Sequence, residues 1–281
     1  MSALFLGLIA ALCWGFHDVC VRFLSQRVAK TACIFVVLVT GLVFHVGLMV
    51  VADRFTPIST EALWLSLGAG VFFVIATFGL YSAFQRGPVR LVAPLIACYP
   101  IISVGAAAWQ GVTISPLQWT AVFAIVIGVM IVATLSDTCS DTSPPKGPTI
   151  LFAIIAAIGF AGTFALGQHA AEKSHEMTST LVTRSLTVIL TVIVLITLKQ
   201  PFWPGKRALP LLIAMGVADG IALFAVFSAG GLPDAQYAAV SSSIFGLLTI
   251  LLAWALLNEA MTLQQWAGCI VTFCGIGYLA L

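Results

Sequence analysis

Ser136-Asp137-Thr138-Cys139-Ser140-Asp141-Thr142-Ser143-Pro144-Pro145-Lys146-Gly147-Pro148 is the longest and most polar connection in the chain, and it lies close to the middle of 281 residues. What flanks it on both sides is apolar to a degree that only a membrane explains. Hydrophobic residues make up 61% of the sequence and charged residues 8%, against about 25% charged in a soluble domain. A soluble fold of this size would lack the polar groups to cover its core, so lipid is the solvent for most of the surface. The net charge of +2 is too small and too scattered for a nucleic-acid surface.

A spanning helix needs about 20 mostly apolar residues. On that scale the sequence divides into ten segments, near 3–24, 31–52, 62–85, 89–110, 116–136, 148–170, 178–199, 208–231, 235–257 and 263–281. Their connections are short, so consecutive helices are antiparallel neighbours. The first run carries Trp14, His17 and Asp18 without a basic leader, and it reads as a spanning helix rather than a cleaved signal. Residues 1–136 then form one five-helix unit, 137–147 a linker, and 148–281 a second unit.

The two units repeat. A shift of 147 places Gln118-Trp119 on Gln265-Trp266, Ala121 on Gly268 and Gly128 on Gly275; a shift of 146 places Ala10-Ala11 on Ala156-Ala157 and Trp14 on Phe160. Five is odd, so the second unit enters the membrane in the opposite sense. The expected fold is therefore all-α and membrane-embedded, with ten transmembrane helices as two inverted five-helix repeats around a central cavity. In secondary transporters of this design the substrate site lies near the midplane, between the repeats.

Ionisable side chains inside a bilayer are costly and mark function by default. Asp18, His45, Arg184, Asp219 and His17 are the candidates. From the face bearing the loops after odd-numbered helices, His45 lies roughly 21 Å deep, Arg184 roughly 22 Å and Asp219 roughly 16 Å. Arg184 and Asp219 sit on consecutive antiparallel segments and can neutralise each other. The pair is either a lock between those helices or part of the cavity wall, binding a charged substrate or a coupling proton. His45 reads as a buried, hydrogen-bonded histidine or, with Asp219, as a proton relay. Asp18 and Arg22, four apart near a helix end, suit an interfacial pair.

The fourth segment carries Pro94, Tyr99 and Pro100, and the 147 shift sets Ser241-Ser242-Ser243 and Gly246 of the ninth against it. A proline break is tolerated in a membrane where neighbours or a wet cavity satisfy the freed backbone. Serines either face such a cavity or bond back to their own helix. Trp14, Tyr81 and Tyr99 are aromatic cavity candidates, whereas Trp64, Trp109, Trp119, Trp203 and Trp266 suit the interfacial belts. Ala124/Gly128 and Gly268/Thr272 form small-residue faces for close packing of the fifth and tenth helices. Cys13, Cys20, Cys33, Cys98, Cys269 and Cys274 lie in or beside apolar runs, and Cys139 in a loop; no spacing supports a disulfide framework or a metal site.

The stretch Leu256-Leu257-Asn258-Glu259-Ala260-Met261-Thr262-Leu263-Gln264-Gln265-Trp266-Ala267-Gly268 resembles the closing signature of the drug/metabolite transporter superfamily, in its EamA-like branch. Ala10-Ala11-Leu12-Cys13-Trp14-Gly15 resembles the opening of the same branch. The resemblance implies a secondary transporter that exports small metabolites, amino acids foremost, by alternating access. It also implies that the first, third, fourth, sixth, eighth and ninth helices surround the cavity. A broad drug or cation exporter is the alternative, marked by an acidic residue deep in an aromatic cavity. Implied with these are a small-molecule substrate, a lipid surround, no cofactor, a monomer and a bacterial inner membrane.

At Val112 the first half lacks a counterpart of Glu259, which makes that glutamate a helix-end feature rather than half of a paired site. Metalloprotease, hydrolase and nucleotide-binding motifs are missing from the sequence, so an enzyme is not expected. The two indicators of orientation oppose each other. Arg22, Arg27, Lys30, Arg86, Arg90, Lys146, Lys199, Lys206 and Arg207 follow odd-numbered helices, against Arg54 and Lys173 on the other side, which puts both termini outside the cytoplasm. The resemblance puts both inside.

Overall fold

Hydrocarbon offers the backbone no hydrogen bonds, so a long apolar run must satisfy its own peptide groups as a helix. The computed structural model describes residues 2–53, 56–102, 105, 115–135, 145–232, 236–259 and 261–279. Among them run α1 (Ala3–Ser25), α2 (Lys30–Ala52), α3 (Thr60–Arg86), α4 (Val89–Ala97), α5 (Pro116–Thr134), α6 (Lys146–Lys173), α7 (Glu176–Thr197), α8 (Leu209–Ser228), α9 (Gln236–Ser242), α10 (Phe245–Leu257) and α11 (Leu263–Leu279). Polar residues punctuate the ends. Ser2 and Ser59 accept the Phe5 and Ala62 N–H groups as N-caps of α1 and α3. Asn258, left-handed at φ 53°, stops α10 and turns the chain back. Arg54, Trp109, Val112, Cys139 and linker residues 137–144 lie outside the described residues.

Ten spans were expected; among the described residues seven helices are long and apolar enough to cross a membrane, with Val89–Ile102 and Pro116–Val132 apolar but shorter. Two of the expected segments are broken, and for identifiable reasons. After α4 the helix is interrupted at Cys98 and resumes at Tyr99. Pro100 has no N–H to give the carbonyl of Ile96, and its ring crowds that carbonyl. The ninth segment breaks at Ser243-Ile244, between α9 and α10. There the backbone tightens into bonds three residues apart, and Ser242 and Ser243 donate back to the Ala239 and Val240 carbonyls at 2.8 and 2.6 Å. The 147 shift carries Cys98 onto Phe245, so the two breaks fall at matching places.

The packing of the helices is reciprocal between the halves. α1 packs on α8, α9 and α10, and α3 on α6 and α7; α2 contacts α7 and α8, and α4 contacts α6 and α10. The α3–α6 contact is the most extensive among the described residues, and small residues meet there. A Cβ on Gly159 would fall 2.6 Å from the Ala76 nitrogen, and one on Gly79 would fall 2.9 Å from the Ala156 nitrogen. α5 and α11 pack chiefly on each other. A Cβ on Gly128 would strike Thr272 and Gly268, and one on Gly275 would sit 3.0 Å from the Ala121 carbonyl, so the small faces read from the sequence do meet.

Candidate functional site

The site grows from one face of α1. Trp14, His17 and Asp18 stand at positions i, i+3 and i+4, which on a helix point the same way. That face looks into the bundle, and all three are buried. Opposite it, α8 brings Asp219 to the same level. The Trp14 indole Nε1–H donates to Asp219 Oδ1 at 3.0 Å, and Arg184 of α7 donates to Oδ2 at 2.6 Å. The pairing expected from depth is thus present, between a fully buried guanidinium and a carboxylate that is 5% exposed. Arg184 is further covered by the Phe73 ring, 4.8 Å from its guanidinium carbon. Its Nε and its other terminal nitrogen have no hydrogen-bond partner.

A second polar cluster lies beside the first. His17 Nδ1 and Asp18 Oδ1 are 2.9 Å apart, and the Tyr81 hydroxyl of α3 is 3.3 Å from His17 Nε2. The tautomer that lets Tyr81 donate to Nε2 leaves the proton on Nδ1, which then donates to Asp18. Asp18 Oδ2 is buried, with no hydrogen-bond partner among the described residues. The expected Asp18–Arg22 pair does not form. Asp18 turns into the bundle, while Arg22, one turn on, donates to Glu259 Oε1 at 3.1 Å and to the Phe84 carbonyl at 2.9 Å. Glu259 Oε2 also accepts the Val89 N–H at 2.8 Å, capping α4.

Both clusters open onto one cavity. Trp14, Phe73, Tyr81, Phe160, Phe164 and Phe245 give it an aromatic wall, and His17, Asp18, Thr77 and Asp219 its polar groups. It is narrow, with room for about one or two waters. Trp14 stacks on Phe164 at 5.2 Å and meets Phe160, its match under the 146 shift, at 6.3 Å. Matching residues of the two halves therefore touch at the centre of the bundle.

Of the residues singled out from sequence, Trp14, His17, Asp18, Tyr81 and Asp219 stand on the cavity wall, and Arg184 is directly behind Asp219. The others lie elsewhere. His45 Nε2 is 2.9 Å from the Gly220 carbonyl, next to Asp219 in α8 but off the wall. Tyr99 is held between the two broken helices, its hydroxyl contacting the Ala239 carbonyl and Ser242 Oγ, the latter at 2.6 Å. Ser241 donates to the Leu4 carbonyl of α1 at 3.2 Å, and Ser243 to its own helix. All three serines are buried in helix contacts rather than at the wall, because the tightened break gives each hydroxyl a nearby carbonyl.

The sequence reading set Asp18 in an interfacial pair instead of the cavity, and it passed over the two phenylalanines of α6. The spacing Trp14/His17/Asp18 carried that signal, as did Phe160 and Phe164, one turn apart. It also passed over a threonine stripe on α7. Thr183 and Thr187 donate to the Ser66 and Gly70 carbonyls of α3 at 3.1 and 3.2 Å, on the turns flanking Arg184.

The sequence model of the EamA-like transporter family matches residues 1–134 and 147–281 of this chain. No curated protein matches it. A solved crystal structure of another protein superposes with a TM-score of 0.73, over 99% of this chain and 98% of that one, at 17% identity. At that identity the likeness speaks for the fold alone.

Proposed function

This chain belongs to the EamA-like transporter family, and from that premise we propose that it is a secondary transporter working by alternating access, with small metabolites, amino acids foremost, as substrates. Ten membrane helices in two inverted five-helix repeats (1–136 and 148–281, joined by 137–147) form the proposed architecture. The reciprocal packing supports it: exchanging the halves maps α3–α6 onto α1–α8 and leaves α2–α7 and α5–α11 in place. The matched breaks at Cys98 and Ser243-Ile244 support it too.

The observation that carries the substrate reading is the Arg184–Asp219–Trp14 arrangement beside an aromatic cavity. A zwitterion with an apolar side chain is served by opposite charges held together next to aromatic walls. In this role Trp14, Tyr81 and Asp219 contact the substrate, while Arg184, Tyr99, Ser241, Ser242 and Ser243 hold the wall in place, and His45 fixes the Gly220 carbonyl. The present conformation suits an occluded state. One end is tied by Arg22, Glu259 and the start of α4. The other is tied by Thr56 to Thr178 at 3.0 Å and Lys173 to Glu61 at 3.3 Å. A monomer in a bacterial inner membrane, performing no chemical conversion, completes the proposal.

One observation favours export of lipophilic cations instead: Asp18 places a carboxylate oxygen without a partner in the aromatic cavity. Counterflow in proteoliposomes separates the two readings, with labelled amino acids in one panel and lipophilic cations such as tetraphenylphosphonium in another. Saturable amino-acid exchange is the expected result. Exchange of cations alone would move the substrate class, and silence on both panels would refute small-molecule transport of either kind.

A further inference from the structure

We propose that Asp18, oriented by His17 and Tyr81, is the proton-binding site of this protein, taking a proton from the cavity onto Oδ2. The inference rests on the transport reading only in giving that proton a task, namely coupling; the site itself stands on geometry. Four buried groups could carry a proton here. Asp219 gives one oxygen to Arg184 and the other to Trp14, His17 is engaged through both ring nitrogens, and His45 is bonded to the Gly220 carbonyl through Nε2, with its other nitrogen off the wall. Asp18 combines a place on the cavity wall with a carboxylate oxygen that has no hydrogen-bond partner among the described residues.

Charge counting points the same way. The cavity is faced by two carboxylates, Asp18 and Asp219, and by one permanent cation, Arg184 behind Asp219. With a neutral His17, one negative charge is left over in an apolar bundle, where an uncompensated charge is strongly unfavourable. A proton removes that cost. The donors are arranged to leave Oδ2 for it: Tyr81 donates to His17 Nε2, and His17 Nδ1–H donates to Asp18 Oδ1, so the relay ends on the carboxylate. The transfer balances as a hydronium in the cavity giving its proton to Oδ2 and leaving water, and the charge on Asp18 falls to zero.

The groups that face this site are few. On α1 itself they are His17, Cys20 and, one turn away, Arg22, which is held by Glu259. From α3 comes Tyr81, from α2 Cys33, and from α8 Asp219 with its Arg184 partner from α7. Described residues of α9 and α10 contribute no charged side chain, and α6 contributes Phe160 and Phe164.

Infrared difference spectra of the purified protein, acid minus alkaline buffer, test the site without any substrate. The wild type should show a protonated-carboxyl band that Asp18→Asn removes, that Asp18→Glu retains at a shifted frequency, and that Asp219→Asn leaves in place. Tyr81→Phe and His17→Gln should displace its midpoint. A band that survives Asp18→Asn, or a wild type without one, would overturn the proposal; an unmoved midpoint in both relay variants would remove His17 and Tyr81 from it. Monodisperse elution of each variant excludes misfolding as the cause. Failure is distinguishable from failure of the transport reading: silence on both counterflow panels with the band intact sinks transport and leaves the site, and the converse sinks the site alone.

Discussion

Replacing Asp219 by Asn tests the central ion pair most directly, because it deletes the charge and keeps an oxygen for the Trp14 N–H. Arg184 then remains fully buried under the Phe73 ring, with two nitrogens that have no hydrogen-bond partner among the described residues. Removing one partner of a buried pair costs about 3–5 kcal/mol. Since about 1.4 kcal/mol is tenfold in an equilibrium constant, the folding equilibrium should fall roughly a hundred- to several-thousandfold. The double variant Arg184→Met, Asp219→Asn removes the stranded cation and fills its space with a side chain of similar length. It should recover at least about 2 kcal/mol of that loss. Unfolding by sodium dodecyl sulfate in mixed micelles, followed by tryptophan fluorescence, measures all four corners of the cycle. A double variant as unstable as the sum of the singles would show that the two charges are not coupled, and the account of the site given above would fail with it.

Four smaller substitutions address other parts of the molecule. Glu259→Gln should weaken the tie among α1, α3 and α4 by about 1 kcal/mol in the same unfolding assay, a modest figure because both partners are partly exposed. Gly159→Ala should cost about 1–3 kcal/mol, since its methyl group would press on the Ala76 backbone. Gly47→Ala, with nothing within 4 Å, should be neutral or stabilise α2 by up to about 1 kcal/mol; equal effects of the two would refute the close-packing account of α3 and α6. Ser242→Ala should cost about 1 kcal/mol through its bond to Tyr99 and leave the KM of any exchanged substrate unchanged. A raised KM would return the serines to the cavity wall.

How much of this was legible in the sequence depends on the kind of signal. Helix positions follow from apolar runs, and the Arg184–Asp219 contact follows from depth along antiparallel neighbours, because both are set by one-dimensional spacing. The breaks were visible at Pro94 and Pro100 in one half, but in the other only as serines. The direction in which a side chain turns was not legible where two partners compete. Asp18 has Arg22 one turn away and His17 beside it, and only the packing of α3 and α8 against α1 decides between them. The same holds for Ser241 to Ser243, which have a carbonyl within reach in the helix whether or not a cavity is near. The phenylalanines of the aromatic wall escaped because phenylalanine in an apolar helix carries no mark of which face is inward.

The reciprocal packing of the halves also sets a schedule for biosynthesis. α1 makes its main contacts with helices that begin at Leu209, roughly two hundred residues later in the chain. At about 5–20 residues per second of synthesis, the first helix waits some ten to forty seconds for its partners. For that interval Trp14 lacks Asp219, although His17 can meet Tyr81 of α3 much earlier. A nascent chain arrested before α8 therefore presents the face of α1 that carries Asp18 only partly covered. Quality-control proteases that survey the bilayer for stray carboxylates would meet it there.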